Sequence, residues 1–283
     1  MDWQGRRESS NVDDRRGITG GHVAIGGGVI GVLFILAKFL LGGGDASDLN
    51  QLIPQDGGQQ TEMTAEEKAA DDKRAGFVKV VLADTEDIWD QIFAQMGKQY
   101  SKPTLVLFRG STPSACGNAS SATGPFYCPG DQELYIDLSF AEELANRFQA
   151  EGDFAMAYVV AHEVGHHIQY LLGVTQKMDK LRQELSEVEY NKYSVKMELQ
   201  ADFYAGVWAN HDQKMKNVIH PEDIDEALNA ANAIGDDRLQ REAQGQVTPD
   251  AFTHGTSAQR MYWFKKGYTT GDIKQGNTFG SDR

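Results

Sequence analysis

Residues 158–170 read YVVAHEVGHHIQY, and the central His162-Glu163-Val164-Gly165-His166 decides how the rest of the chain is read. On a helix, residues four apart share a face, so His162 and His166 can present their imidazoles to one ion. Glu163 is turned about 100° from His162, onto the flank of that face. There it can reach a water at the ion without being a ligand. The helix itself is well marked. Asp153 after Gly152 is an N-cap candidate, and Ala157, Val160, Ala161, Val164, Ile168 and Leu171 form an apolar stripe suited to a protein interior.

Two histidines do not complete a catalytic zinc site, which takes three protein ligands and one open position. The third is supplied downstream by MELQAD: Glu198, followed one helical turn later by Asp202. His, His, Glu is a known catalytic set, and Asp202 is placed to accept a hydrogen bond from the outer nitrogen of a ligating histidine, fixing its tautomer. A solvated helix face is the plain alternative for a Glu and Asp four apart; the upstream motif favours ligation.

The other histidines carry less. His167 falls on the Glu163 flank and reads as a packing residue or a support for the ligands rather than a ligand, His211 and His220 read as surface residues, and His22 borders an apolar run. His254 lies in FTHGTSAQR, with Arg260 six residues on. Water attack on a carbonyl needs a donor for the developing oxyanion, and either His254 or Arg260 could supply it.

Outward from these motifs, apolar residues at helical spacing predict a helix within RAGFVKVVLADTEDIWDQIFAQMG, and further helices over about 153–172, 177–210, 221–235 and 256–267. TLVLF (104–108) has strand character, and GPFYC and ELYIDLSF flank CPGDQ as a hairpin. Leu134, Ile136 and Leu138 are expected to face inward, and ELYIDLSF is a candidate sheet edge for an extended peptide. A few strands followed by mostly helices predict an α+β domain. Cys116 and Cys128 can form a disulfide outside the cytoplasm, or remain two buried thiols.

Residues 22–41, HVAIGGGVIGVLFILAKFLL, are long enough to cross a hydrocarbon core of roughly 30 Å. Arg6, Arg7, Arg15 and Arg16 precede the run, and Asp45 and Asp48 follow it, which predicts a cytoplasmic N-terminus and an exported bulk. A cleaved signal peptide is the rival, but no clear small-x-small site follows the run. The expected organisation is a tail over 1–21, a single transmembrane helix over 22–41, a flexible linker over 42–72 and a metallopeptidase domain over 73–283. The net charge of -14 argues against nucleic acid as a partner.

The chain resembles the YpfJ-type family of bacterial neutral zinc metallopeptidases through WQGRRESSNVDDRRG, YIDLSF, YVVAHEVGHHIQ, MELQADFYAGVW, EALNAANAIGDDRLQ and FTHGTSAQR. It is more widely similar to zincins with a downstream Glu ligand. The resemblance implies a zincin-like domain with His162, His166 and Glu198 holding zinc, Glu163 as base and Asp202 as the histidine's partner. THGTSAQR also resembles the T-H-P…R segment of membrane zinc peptidases of the CAAX-protease and HtpX kind, with Gly255 in place of the proline.

Together these readings predict a zinc endopeptidase of the bacterial inner membrane acting on peptides or proteins from the periplasmic side. The alternative is a zinc-stabilised binding or scaffold module with a peptidase fold and no turnover; Glu163 favours the enzyme, because a structural site has no use for a base.

Overall fold

The computed structural model describes residues 1–17, 63–146, 150 and 152–280. Helices dominate: α1 (Ala65–Gln95), α2 (Phe140–Asn146), α3 (Asp153–Leu171), α4 (Val174–Glu184), α5 (Glu187–Lys216), α6 (Pro221–Ala233), α7 (Asp236–Gln244) and α8 (Ser257–Thr270). The strands are β1 (Val12–Asp14), β2 (Thr104–Phe108), β3 (Ser111–Ser114), β4 (Gly117–Ser120), β5 (Phe126–Cys128) and β6 (Glu133–Asp137). The expected α+β class holds.

The larger sheet has the order β1-β2-β6-β5, with β1, β2 and β6 parallel and β5 antiparallel to β6. Alternation along the strands gives it two faces. Leu105, Leu107, Leu134 and Ile136 join the main core, as does Leu138 just beyond β6, while Val106, Phe108 and Tyr135 form a smaller cluster with Ala119 and Cys128. The β3–β4 hairpin leads to Cys116, whose disulfide with Cys128 braces β5. ELYIDLSF is therefore not the sheet edge. Its strand lies inside the sheet between β2 and β5, and β5 holds the edge.

The main core gathers α1, α3 and α5, with Trp89 edge-on to Tyr204 and Phe154 stacked on Trp208. Two helices approach closely at Gly206 and Gly267. A Cβ on Gly206 would lie 2.1 Å from the Phe264 carbonyl oxygen, and one on Gly267 equally close to that of Phe203. That contact seats α8 against α5.

Local capping moves several boundaries. The expected linker ends earlier, because Thr64 and Glu67 form a capping box that starts α1 at Ala65. Its first turns are polar because they face solvent, which gave them the composition of a linker. The helix expected over 177–210 is two helices, divided where the Ser186–Glu189 capping box opens α5. Asp153 does not cap α3. Gly152 stands at that position, and Glu226 of α6 accepts the Phe154 N–H at 2.9 Å.

The N-terminal stretch differs most from expectation. Residues 1–17 are not a separate tail: β1 pairs in parallel with β2 in the register Val12–Leu105, Asp13–Val106, Asp14–Leu107. Trp3 packs edge-on to Phe77. The apolar run 22–41 lies outside the described residues. Among the described residues, no helix is long and apolar enough to cross a membrane.

Candidate metal centre

Helix α3 carries His162, Glu163 and His166, and α5 crosses it carrying Glu198 and Asp202. The crossing is close because the motif's fourth residue is glycine: a Cβ on Gly165 would stand 2.9 Å from the Ala201 carbonyl oxygen. Any side chain there would push α5, and Glu198 with it, away from the two histidines.

One potential ligand atom from each of His162, His166 and Glu198 lies within 4.8 Å of the others. His162 Nε2 is 3.1 Å from Glu198 Oε2, and His166 Nε2 is 3.4 Å from Glu198 Oε1. Ligands about 2.0–2.1 Å from a tetrahedral zinc are separated by about 3.3 Å, so the donor set fits the ion. The outer nitrogens are engaged elsewhere, which points both Nε2 atoms inward. His162 Nδ1 is 2.8 Å from Asp202 Oδ1, and His166 Nδ1 is 2.9 Å from Gln169 Oε1. Gln169 is itself fixed, donating to the Met197 carbonyl at 2.7 Å.

The electrostatics also suit a cation. Burial alone disfavours a charged Glu198, but the two imidazoles outweigh it and hold its carboxyl well below the usual range. Burial likewise opposes a proton on His162, yet Asp202 and Glu198 prevail and raise its affinity for one. A field that attracts a proton to these nitrogens attracts a divalent ion to the same place.

Asp202 is fully buried and held down to about 2, because Arg260 and His162 outweigh the cost of its burial. Arg260 donates through Nε to Asp202 Oδ2 at 2.9 Å and through Nη2 to Oδ1 at 3.0 Å. Tyr158, one turn before His162, completes the group by donating to Asp202 Oδ1. Arg260 is thus buried and committed to Asp202 and Tyr158, and both it and His254 line the cleft.

Glu163 is buried beside the two imidazoles. Burial pushes its carboxyl up, while the imidazoles and the Tyr127 backbone N–H restrain the rise. His167 ties the same strand down: its Nδ1 meets the Tyr127 hydroxyl at 3.0 Å and its Nε2 the Ser101 carbonyl at 2.6 Å. Of the two roles read for His167, packing and support of a ligand, its buried contacts with Tyr127 and Ser101 show the first.

His254 lines a cleft of about 500 Å³ together with His162, Glu163, His166 and Glu198. Its side chain is 51 % exposed, with Nδ1 3.1 Å from Asp236 Oδ1. Partial burial opposes the imidazolium, but Asp236 and Glu198 outweigh it and raise the pKa. Asp236 and Gln169 were missed in the sequence. Gln169, at i+3 from His166, had a helical-spacing signal; Asp236 had none short of the fold.

The profile of the family described as "Putative neutral zinc metallopeptidase" matches residues 1–279. The chain belongs to this family. Within the neutral zinc metallopeptidase family it is 50% identical over 285 residues to the uncharacterized protein YpfJ of Escherichia coli (strain K12), covering 99% of each chain. It is 40% identical over 213 residues to the uncharacterized protein Rv2575 of Mycobacterium tuberculosis, covering 72% of this chain and 71% of that relative. No solved structure matches. The family match covers residues 1–17 as well as both halves of the metal centre, in line with the N-terminal strand being part of the fold.

Proposed function

We propose that the protein is a zinc-dependent endopeptidase in which His162, His166 and Glu198 hold the ion and Glu163 is the general base. The observation that carries this reading is the convergence of three inward-facing donor atoms within 4.8 Å, beside a buried carboxylate that is not one of them. Bound zinc would supply a Lewis acid for the scissile carbonyl and acidify the attacking water.

The chain's own groups account for the rest. Glu163, with its carboxyl raised by burial, accepts a proton from water and returns it to the leaving amine. Asp202 keeps His162 in the tautomer that leaves Nε2 free, and Arg260 keeps Asp202 ionised and in place. His254, oriented by Asp236, donates to the oxyanion as it develops.

A peptide substrate is favoured by the strand at the cleft. β5 is hydrogen-bonded to β6 along one edge, and Tyr127 on its other edge reaches Glu163. An extended chain laid along that edge would bring a peptide bond to the base. The Cys116–Cys128 disulfide favours an oxidising, extracytoplasmic compartment. The apolar run 22–41 favours attachment to the bacterial inner membrane.

The test is metal analysis and casein or peptide-library hydrolysis by the full chain, before and after chelation. One zinc per chain, and cleavage lost on chelation and restored by zinc, is the expected result. Bound zinc whose removal lowers only thermal stability, with no cleavage at any stage, would favour a zinc-stabilised binding module instead.

A further inference from the structure

The four arginines before the apolar run all meet carboxylates of the folded domain. Arg6 Nη2 is 2.6 Å from Asp84, Arg7 Nη1 is 3.3 Å from Glu86, and Arg16 Nη1 is 2.7 Å from Asp71, all on α1. Arg15 Nη2 is 3.7 Å from Glu133 on β6. Asp71, Asp84 and Glu86 are 4%, 2% and 1% exposed. Arg109, Lys216 and Lys102 also face these three carboxylates, so the N-terminal arginines share the compensation of buried charge. The backbone is engaged too: Leu105 donates to the Asn11 carbonyl at 2.9 Å, and Arg15 to that of Leu107 at 2.7 Å.

These contacts bring the place where the chain leaves the domain close to the place where it returns. Arg16 touches Asp71, and Thr64, which caps the same helix, lies seven residues earlier, about 10 Å along the axis. A hydrocarbon core is about 30 Å thick. Were 22–41 to cross it once, residues 1–17 would stand on the far side from Asp71. The glycine-rich, polar stretch 42–62 contains no second apolar run with which to return. A docked β1 and a single crossing exclude each other.

We propose that residues 1–17 occupy the same compartment as the catalytic domain, held there by the pairing of β1 with β2 and by these ion pairs. The arginines then do not report orientation. The positive-inside rule concerns basic residues left free in loops beside the membrane, whereas these are bound to the domain's carboxylates. The proposal stands apart from any peptidase activity, since it rests on sheet pairing and ion pairs remote from the metal centre.

Lys79 Nζ lies 3.8 Å from Asp14 Oδ2 and offers the test. A carbodiimide activates a carboxylate, a nearby amine displaces the resulting urea, and an amide of zero added length remains. Lys102–Asp90 at 3.4 Å and Lys216–Asp87 at 2.9 Å are matching controls within the domain. Bacteria carrying the full chain would be treated with carbodiimide, digested and analysed by mass spectrometry. The expected result is an Asp14–Lys79 link beside the control links, lost in Asp14→Asn. Control links without Asp14–Lys79 would place the N-terminus across the membrane and overturn the proposal.

Discussion

His254 and Asp236, eighteen residues apart in the chain, are joined twice: Nδ1 of the imidazole is 3.1 Å from Oδ1 of the carboxylate, and the His254 backbone N–H donates to Oδ2 at 2.6 Å. Oδ2 also accepts the N–H groups of Thr253 and Gly255. One carboxylate thus shapes the loop and aims its imidazole at the cleft. Replacing His254 by Ala should leave zinc content unchanged and lower kcat by about 10²–10³-fold, the usual cost of losing an oxyanion donor. Steady-state kinetics on metal-loaded protein decide this, and a change in KM alone would assign His254 to substrate binding.

Asp202 serves two partners, and its loss should therefore have two effects. Asp202→Ala leaves His162 without its orienting acceptor, for which about a 10–100-fold fall in zinc affinity is expected. It also leaves the Arg260 guanidinium buried without its counter-charge, a change that costs about 3–5 kcal/mol. Competition with a chelator and chemical denaturation measure the two effects separately. Unchanged zinc affinity would remove Asp202 from the metal centre.

The part of this site that could be read in the sequence is the part governed by helical spacing. His162 and His166, like Glu198 and Asp202, are four apart, and a helix turns such pairs onto one face wherever it sits. Asp236 and the N-terminal strand obey no such local rule. Asp236 reaches His254 only because a loop returns across α7. Val12–Asp14 carries two acids in three residues, and it is a strand only because Leu105–Leu107 lies parallel to it. Its arginines read as a membrane flank for the same reason: their partners lie 55 to 118 positions away along the chain.

The N-terminal strand should therefore be needed for stability. A chain beginning at residue 45 lacks Arg6, Arg7 and Arg16 and leaves Asp71, Asp84 and Glu86 less compensated. Each buried carboxylate left short of a counter-charge costs up to about 3 kcal/mol, reduced by the cations that remain and least for Glu86, whose partner Arg7 is half exposed. Thermal melting of the shortened and full chains, both with zinc, should show a clearly lower Tm for the former. Equal melting temperatures would contradict the docking of residues 1–17.

His167 predicts a pH dependence. Burial lowers its pKa to about 4, against an ordinary value of 6.5. Between those values the unfolded chain binds the proton and the folded one does not, so stability falls as pH drops from about 6.5 to 4, by on the order of 3 kcal/mol in all. His167→Gln removes the titrating group and should lose less stability over the same window. Denaturant unfolding at pH 7 and pH 4.5 compares the slopes, and equal slopes would mean that His167 is protonated in the fold.

The most direct test of the central claim is Glu163→Gln in the full chain, with zinc content and peptide hydrolysis measured on the same preparations as the unaltered protein. The substitution keeps size and burial and removes only the base. One zinc per chain in both proteins, with cleavage lost in the variant, is the predicted result. Cleavage at the original rate by Glu163→Gln would contradict it.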